Sequence, residues 1–355
     1  MSTLSYHEQE TIDNTKRLRQ MMKELPPFCA DFFRGIEPRT SSRTRIAYAY
    51  DLKTFFDFLK KQNPVFAKYE NKDFSLTVLD EIQVMDLEEY MEFLKCYSTD
   101  KKEDLTNTER GIMRKMSSLK SFYNYFYRRE RIKNNPAALI ELPKMHEKEI
   151  IRLEVDEVAK LLDQVEDGEN LTEKQKSYHA KTKIRDLALM TLLLGTGIRV
   201  SECVGLNLND IDFNTGGLRI HRKGGKEVII YFGAEVEDAL KDYIEEREHI
   251  IPEPGHEDAL FLSLQRKRLN VRSVENLVKK YAKIVTPLKK ITPHKLRSTY
   301  GTNLYRETGD IYLVADVLGH SDVNTTKRHY AALEDERRRS ARNKVLLREH
   351  DDSSK

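Results

Sequence analysis

The sequence predicts a mainly α-helical protein with a small β-sheet, arranged as an N-terminal helical domain and a second, α-rich domain. Three observations predict this. Residues 1–145 carry apolar stripes at helical spacing with no convincing strand between them. Two prolines and a loss of periodicity mark a break near residue 140. Beyond it helical patterns resume, interrupted by two short alternating runs that flank a pair of glycines.

In the first domain Tyr48, Leu52, Phe55, Phe56 and Leu59 fall on one helical face, and Pro64 ends the run. Thr106-x-x-Glu109 reads as a capping box opening a second helix. Its apolar face runs Ile112, Met113, Met116, Leu119, Phe122, Tyr123 and Phe126. Weaker helical patterns cover Ile12–Leu25 and Leu79–Cys96. Residues 1–140 form this domain, and 141–152, with Pro143 and mixed charge, form a linker.

In the second domain, 153–355, helices at Val155–Val165 and Lys183–Leu194 lead to strand-like Leu218–Arg222 and Glu227–Phe232. Lys-Gly-Gly-Lys separates the two strands, and a type I′ turn takes two residues at positive φ, which glycine supplies. Helices then return and end in a tail from Leu333 to Glu349, where Leu333, Val345, Leu346 and Leu347 are apolar anchors in a charged stretch.

Composition narrows the class. A chain of 355 residues is long enough for two buried cores, and 39% hydrophobic with 34% charged residues excludes a disordered chain. No apolar run approaches the ~20 residues of a membrane span. The N-terminus, MSTLSYHEQE, lacks the basic flank and apolar core of a secretory signal. Cys29, Cys96 and Cys203 give neither a disulfide framework nor metal-ligand spacing, so a reducing cytoplasm is expected. The net charge of +3 permits a nucleic-acid partner without demanding one, so the position of the charges has to decide.

Arg39, Arg43 and Arg45 gather at the N-terminus of the helix that begins near Ser41. That end of a helix disfavours cations, and an external phosphate would relieve them. Arg110 and Arg114 lie off the apolar stripe of the later helix. Both groups read as DNA-binding candidates and equally as ordinary solvated faces.

The second domain carries a more specific set. Arg199-x-x-Glu202 follows a glycine-broken helix end, and Lys223 and Lys226 flank the hairpin glycines. Thr292-Pro293 opens a helix that carries His294 and Arg297 at i, i+3. Leu318-Gly319-His320 follows, and then Tyr330. With few carboxylates in the set, two-metal phosphoryl transfer is disfavoured. Guanidinium forks match phosphate oxygens bidentately and stay charged at every working pH, so two arginines can do the work of a metal. A tyrosine can be the nucleophile, a lysine on a hairpin can protonate the leaving alkoxide, and histidines can orient phosphate or move protons.

The ordered set Arg199, Lys223, His294-x-x-Arg297, Leu-Gly-His320 and Tyr330 resembles the signature of the tyrosine recombinase (phage integrase) family. Within it the chain is most similar to the Xer recombinases that act as a single protein, on wording such as RKGGK and TPHKLR. The resemblance implies a helical core-binding domain and a catalytic domain that close around duplex DNA. It implies that Arg199 and Arg297 clamp the scissile phosphate and that Tyr330 is the nucleophile. Lys223 is then the general acid, His294 and His320 assist, and Glu202 orients the site. It also implies a homotetramer on two inverted-repeat DNA sites, no cofactor or metal, and a place in the cytoplasm with the nucleoid. The type IB topoisomerases share this residue set and are the alternative. Two departures stand out: the spacing from His320 to Tyr330 is one residue longer than is common, and Ser298 occupies a position where relatives often have histidine.

Overall fold

In the computed structural model the described residues are 6–98, 104–143, 151–222, 226–320 and 323. The chain divides into two compact units, Met1–Lys148 and Glu149–Lys355. Among the described residues no helix is long and apolar enough to cross a membrane.

The first unit contains α1 (Tyr6–Met22), α2 (Cys29–Ile36), α3 (Ser42–Gln62), α4 (Val78–Glu81) and α5 (Val84–Lys95). A two-stranded antiparallel ribbon follows, β1 (Cys96–Ser98) and β2 (Asp104–Thr106), and then α6 (Glu109–Tyr127) and α7 (Pro136–Leu139). The expected stripe is the buried face of α3: Leu52, Phe55, Phe56 and Leu59 are all buried. Phe122 and Phe126 of α6 meet edge-to-face with centroids 5.2 Å apart, and Phe32 of α2 meets Phe122 at 5.1 Å. The aromatic run at 122–127 is therefore mainly core, with Tyr127 exposed.

Three expectations for this unit need correction. The ribbon β1–β2 was not anticipated, because three-residue strands are too short to show alternation. It absorbs Thr106, so the N-cap of α6 moves to Thr108, whose hydroxyl accepts from the Gly111 N–H. The pattern over Leu79–Cys96 splits into α4 and α5.

The second unit begins with α8 (Val155–Asp167), α9 (Glu173–His179), α10 (Lys183–Thr196) and α11 (Val200–Gly205). A three-stranded antiparallel sheet follows in the order β3 (Ile211–Asp212), β4 (Gly217–His221), β5 (Glu227–Tyr231). Then come α12 (Ala234–Glu248), α13 (Val271–Val285), α14 (Pro293–Thr308) and α15 (Ile311–Leu318). Helix α10 is the central post, packed on α8, α12 and α14, with Ala188, Leu189, Met190 and Leu192 fully buried. Its polar start is also buried: Asp186 pairs with Arg185 at 2.6 Å and accepts from Tyr281 Oη at 3.1 Å. Such a buried charge is tolerated only when it is paired in this way. The hairpin β4–β5 pairs His221 with Glu227, and Arg222 N–H donates to Lys226 O at 2.8 Å. Lys226 thus faces Arg222 across the hairpin, whereas the two-residue turn expected on the glycines would have set it opposite Lys223.

Candidate active site

Helix α10 ends at Gly197 in the left-handed conformation, φ 62°, with the ring of Tyr300 packed where a side chain would project. A residue with a Cβ would meet that ring, so glycine is required here. The turn delivers Arg199 to the N-cap of α11. There both Glu202 oxygens are engaged: Oε2 accepts from the Arg199 N–H and Oε1 from its Nη1, each at 2.8 Å. Glu202 is itself buried, so Arg199 is held in one rotamer by a charge-assisted fork.

Arg297 projects from the second turn of α14 and is 5% exposed. Its Nη1 donates to Gly197 O at 2.6 Å, and its Nη2 donates to Leu318 O. Thr292 is the N-cap of α14 with Pro293 following, as expected, although the Thr292 side chain makes no capping bond. His294 sits exposed in the first turn, and Arg297 lies buried one turn deeper.

The end of α15 ties these parts together. Gly319, φ 59°, closes a Schellman motif: its N–H donates to Asp316 O at 2.8 Å and the His320 N–H to Ala315 O at 2.9 Å. The remaining carbonyls at this end carry the partial negative charge of the helix terminus. Guanidinium groups take them up, with Arg297 on Leu318 O and Arg199 Nη2 on Gly319 O at 3.0 Å. The two arginines from α14 and the α11 N-terminus therefore converge on adjacent carbonyls of the turn that leads into His320. Elements separated by about a hundred residues of chain meet here, since the Arg199–Gly319 bond spans 120 residues.

Arg199, Glu202, Arg297 and His320 are thus brought to one turn. Lys223, Tyr330 and the tail from Leu333 to Glu349 lie outside the described residues. Two participants were missed by sequence reasoning. Gly319 was read only as part of a motif, though its positive φ makes the turn possible. Arg222 was read only as a neighbour of the hairpin lysine, yet it reaches Asp316 O and Val317 O.

In the first unit the basic candidates are not equivalent. Arg39 and Arg110 are exposed. Arg43 pairs with Glu10, and Arg45 is buried and bonded to Glu37 at 2.6 Å. Arg114 grips both oxygens of the buried Asp51, each at 2.6 Å. The unfavourable cluster at the N-terminus of α3 is thus partly relieved by carboxylates within the unit.

The signature of the phage integrase family matches residues 151–337, and that of the phage integrase SAM-like domain matches residues 24–144. Tyrosine recombinase XerC of Caldanaerobacter subterraneus subsp. tengcongensis is 36% identical over 338 residues, covering 91% of this chain and 88% of the relative. Tyrosine recombinase XerD of Oceanobacillus iheyensis is 30% identical over 300 residues, covering 84% and 91%. Among solved structures, XerH site-specific recombinase bound to palindromic difH substrate aligns with TM-score 0.63 and 21% identity, covering 85% of this chain and 80% of that one. Tn1549 transposon integrase in complex with circular intermediate DNA aligns with TM-score 0.61 and 21% identity, covering 87% and 98%. These structures share the fold, and the sequence matches extend through both units. The chain belongs to the phage integrase family, the family of the tyrosine recombinases.

Proposed function

We propose that the protein cleaves and rejoins duplex DNA at a specific inverted-repeat site through a 3′-phosphotyrosyl intermediate on Tyr330. The observation that carries this reading is the convergence of Arg199 and Arg297 on the turn before His320. Two rigid forks side by side suit the non-bridging oxygens of one phosphodiester. In the reaction the Tyr330 oxygen attacks phosphorus and the bond from phosphorus to the 5′ oxygen breaks. Lys223 gives its proton to that oxygen, His294 and His320 assist by taking up the proton that the Tyr330 phenol loses, and Glu202 holds Arg199. The incoming 5′ hydroxyl of a second strand reverses the step, so bond energy is conserved and no metal or nucleotide cofactor is needed. Two sites would be held by a homotetramer, linked through the tail after Leu333. The reaction would serve either resolution of chromosome dimers in the cytoplasm or integration and excision of a mobile element.

The test uses duplexes recovered from a random-sequence pool by binding to the protein, then nicked to trap the adduct. A denaturant-resistant covalent complex, and exchange between two copies of the recovered site, are expected with chelator present. Relaxation of any supercoiled plasmid without such exchange would identify a type IB topoisomerase instead. On the same duplex, Lys223→Ala is expected to slow cleavage of the ordinary diester. Much of that rate should return when sulfur replaces the leaving 5′ oxygen, because a thiolate leaves without protonation. Rescue of Lys226→Ala and not of Lys223→Ala would exchange the two roles.

The first unit supplies phosphate contacts in this reading, with Arg39, Arg43, Arg45, Arg110 and Arg114 as candidates. Arg110 is the cleanest probe, being exposed on the helix that also carries the paired Arg114. Arg110→Ala should weaken binding uniformly across sequences and reduce the slope of log affinity against log salt by about 1. An unchanged slope would remove Arg110 from the interface.

A further inference from the structure

Arg222 follows β4 at the turn end of the β4–β5 ladder, where its N–H donates to Lys226 O. Its side chain leaves the hairpin and crosses to the end of α15. There Nη2 donates to Val317 O at 2.7 Å and Nη1 to Asp316 O at 3.3 Å. These bonds span 95 and 94 residues of sequence. With Arg297 on Leu318 O and Arg199 on Gly319 O, three guanidiniums take four successive carbonyls. The Arg222 group also lies against Gly319: a Cβ built there would fall 2.4 Å from Nη1 and 2.5 Å from Cζ.

We infer that Arg222 is a positioning residue for His320, pinning the turn that carries this histidine to the hairpin stem; the inference rests on the recombinase reading above. Three observations support it. Arg199 and Arg297 alone would hold only the last two carbonyls of the turn, and Arg222 holds the two before them, so the turn is gripped along its whole length. The Arg222 Nε–H is buried and finds no acceptor among the described residues, a cost that an arginine serving only as surface charge would avoid by turning outward. Gly319 leaves no room for a side chain between the guanidinium and the backbone, so the contact and the left-handed turn are satisfied by the same residue.

His320 follows directly, and its own N–H closes the Schellman motif on Ala315 O. A shift at the carbonyls of Asp316 and Val317 therefore moves the origin of the histidine side chain. Displacements of this kind, well away from the reacting bond, change rates by up to about 100-fold.

A double-mutant cycle tests the inference, measured as single-turnover cleavage of the recovered suicide duplex. Arg222→Ala is expected to bind a single site normally and to slow cleavage about 10- to 100-fold. His320→Ala should slow cleavage as well, and the double variant should be within about twofold of the slower single one. Arg222→Lys, which keeps the charge and reaches one carbonyl, should recover part of the rate. Losses that multiply in the double variant, or a wild-type rate in Arg222→Ala, would overturn the inference. So would full restoration of Arg222→Ala by the sulfur substrate, since that would place its action on the proton donor. If Arg222→Ala does not fold, the cycle is run with Arg222→Lys and judged by the same additivity. Failure of the recombinase reading shows separately, as a wild-type protein that forms no adduct on that duplex or that relaxes plasmid without exchange.

Discussion

Tyr330→Phe is expected to bind the recovered DNA site with near-normal affinity and to form no covalent adduct at all. The substitution removes one oxygen and keeps the ring, so shape and apolar contacts are retained while the attacking atom is lost. Another tyrosine could mask this result only if it reached the same phosphate in a form able to ionise. Tyr300 packs its ring on Gly197, two residues before Arg199. Burial raises its phenol above the ordinary tyrosine range, which disfavours the phenolate that attack requires. Tyr305 is buried within the small core it shares with Val314 and Leu318. A denaturant-resistant complex surviving in Tyr330→Phe would therefore assign the nucleophile elsewhere, and peptide mapping of that complex would identify it.

Arg297→Ala should have the second-largest effect, lowering the cleavage rate about 100- to 1,000-fold, the range seen when a donor to a developing oxyanion is removed. The same change strips donors from Gly197 O and Leu318 O. Buried groups left without partners cost about 1–3 kcal/mol, so a lower unfolding midpoint is expected alongside the rate loss. Arg297→Lys separates the two roles. It keeps the charge, but an ammonium on a single stem cannot span two carbonyls and a phosphate as the planar fork does. It should therefore stay far below wild type in cleavage while recovering much of the stability. A Lys variant that cleaves within about twofold of wild type would show that charge alone suffices and that the fork is not needed.

How much of this was legible in the sequence depends on how far each contact reaches along the chain. Arg199 and Glu202 are three residues apart, and the bond between them is the local i, i+3 pairing that spacing announces. The stripe of α3 and the strands β4 and β5 are likewise local, and periodicity placed them to within a residue, although the register across the hairpin is shifted by one. The cap of α6 failed because Thr106 and Thr108 both have a capping side chain, and only the pairing of β1 with β2 decides between them. Arg114 looked like a free cation because its partner Asp51 lies 63 residues away on another helix. Arg222 was passed over for the same reason, its acceptors being backbone carbonyls that carry no side-chain signal.

The gripped end of α15 has a consequence for when the disorder of the site is lost. A free arginine side chain forfeits up to about 2 kcal/mol of rotamer entropy when it is fixed. Arg199 and Arg297 are fixed on the carbonyls of Gly319 and Leu318 by the fold itself. That ordering penalty therefore falls on folding and not on the encounter with the phosphate. Under the recombinase reading, the phosphate would meet cations that need no gathering, and more of the free energy of contact would remain for aligning the duplex.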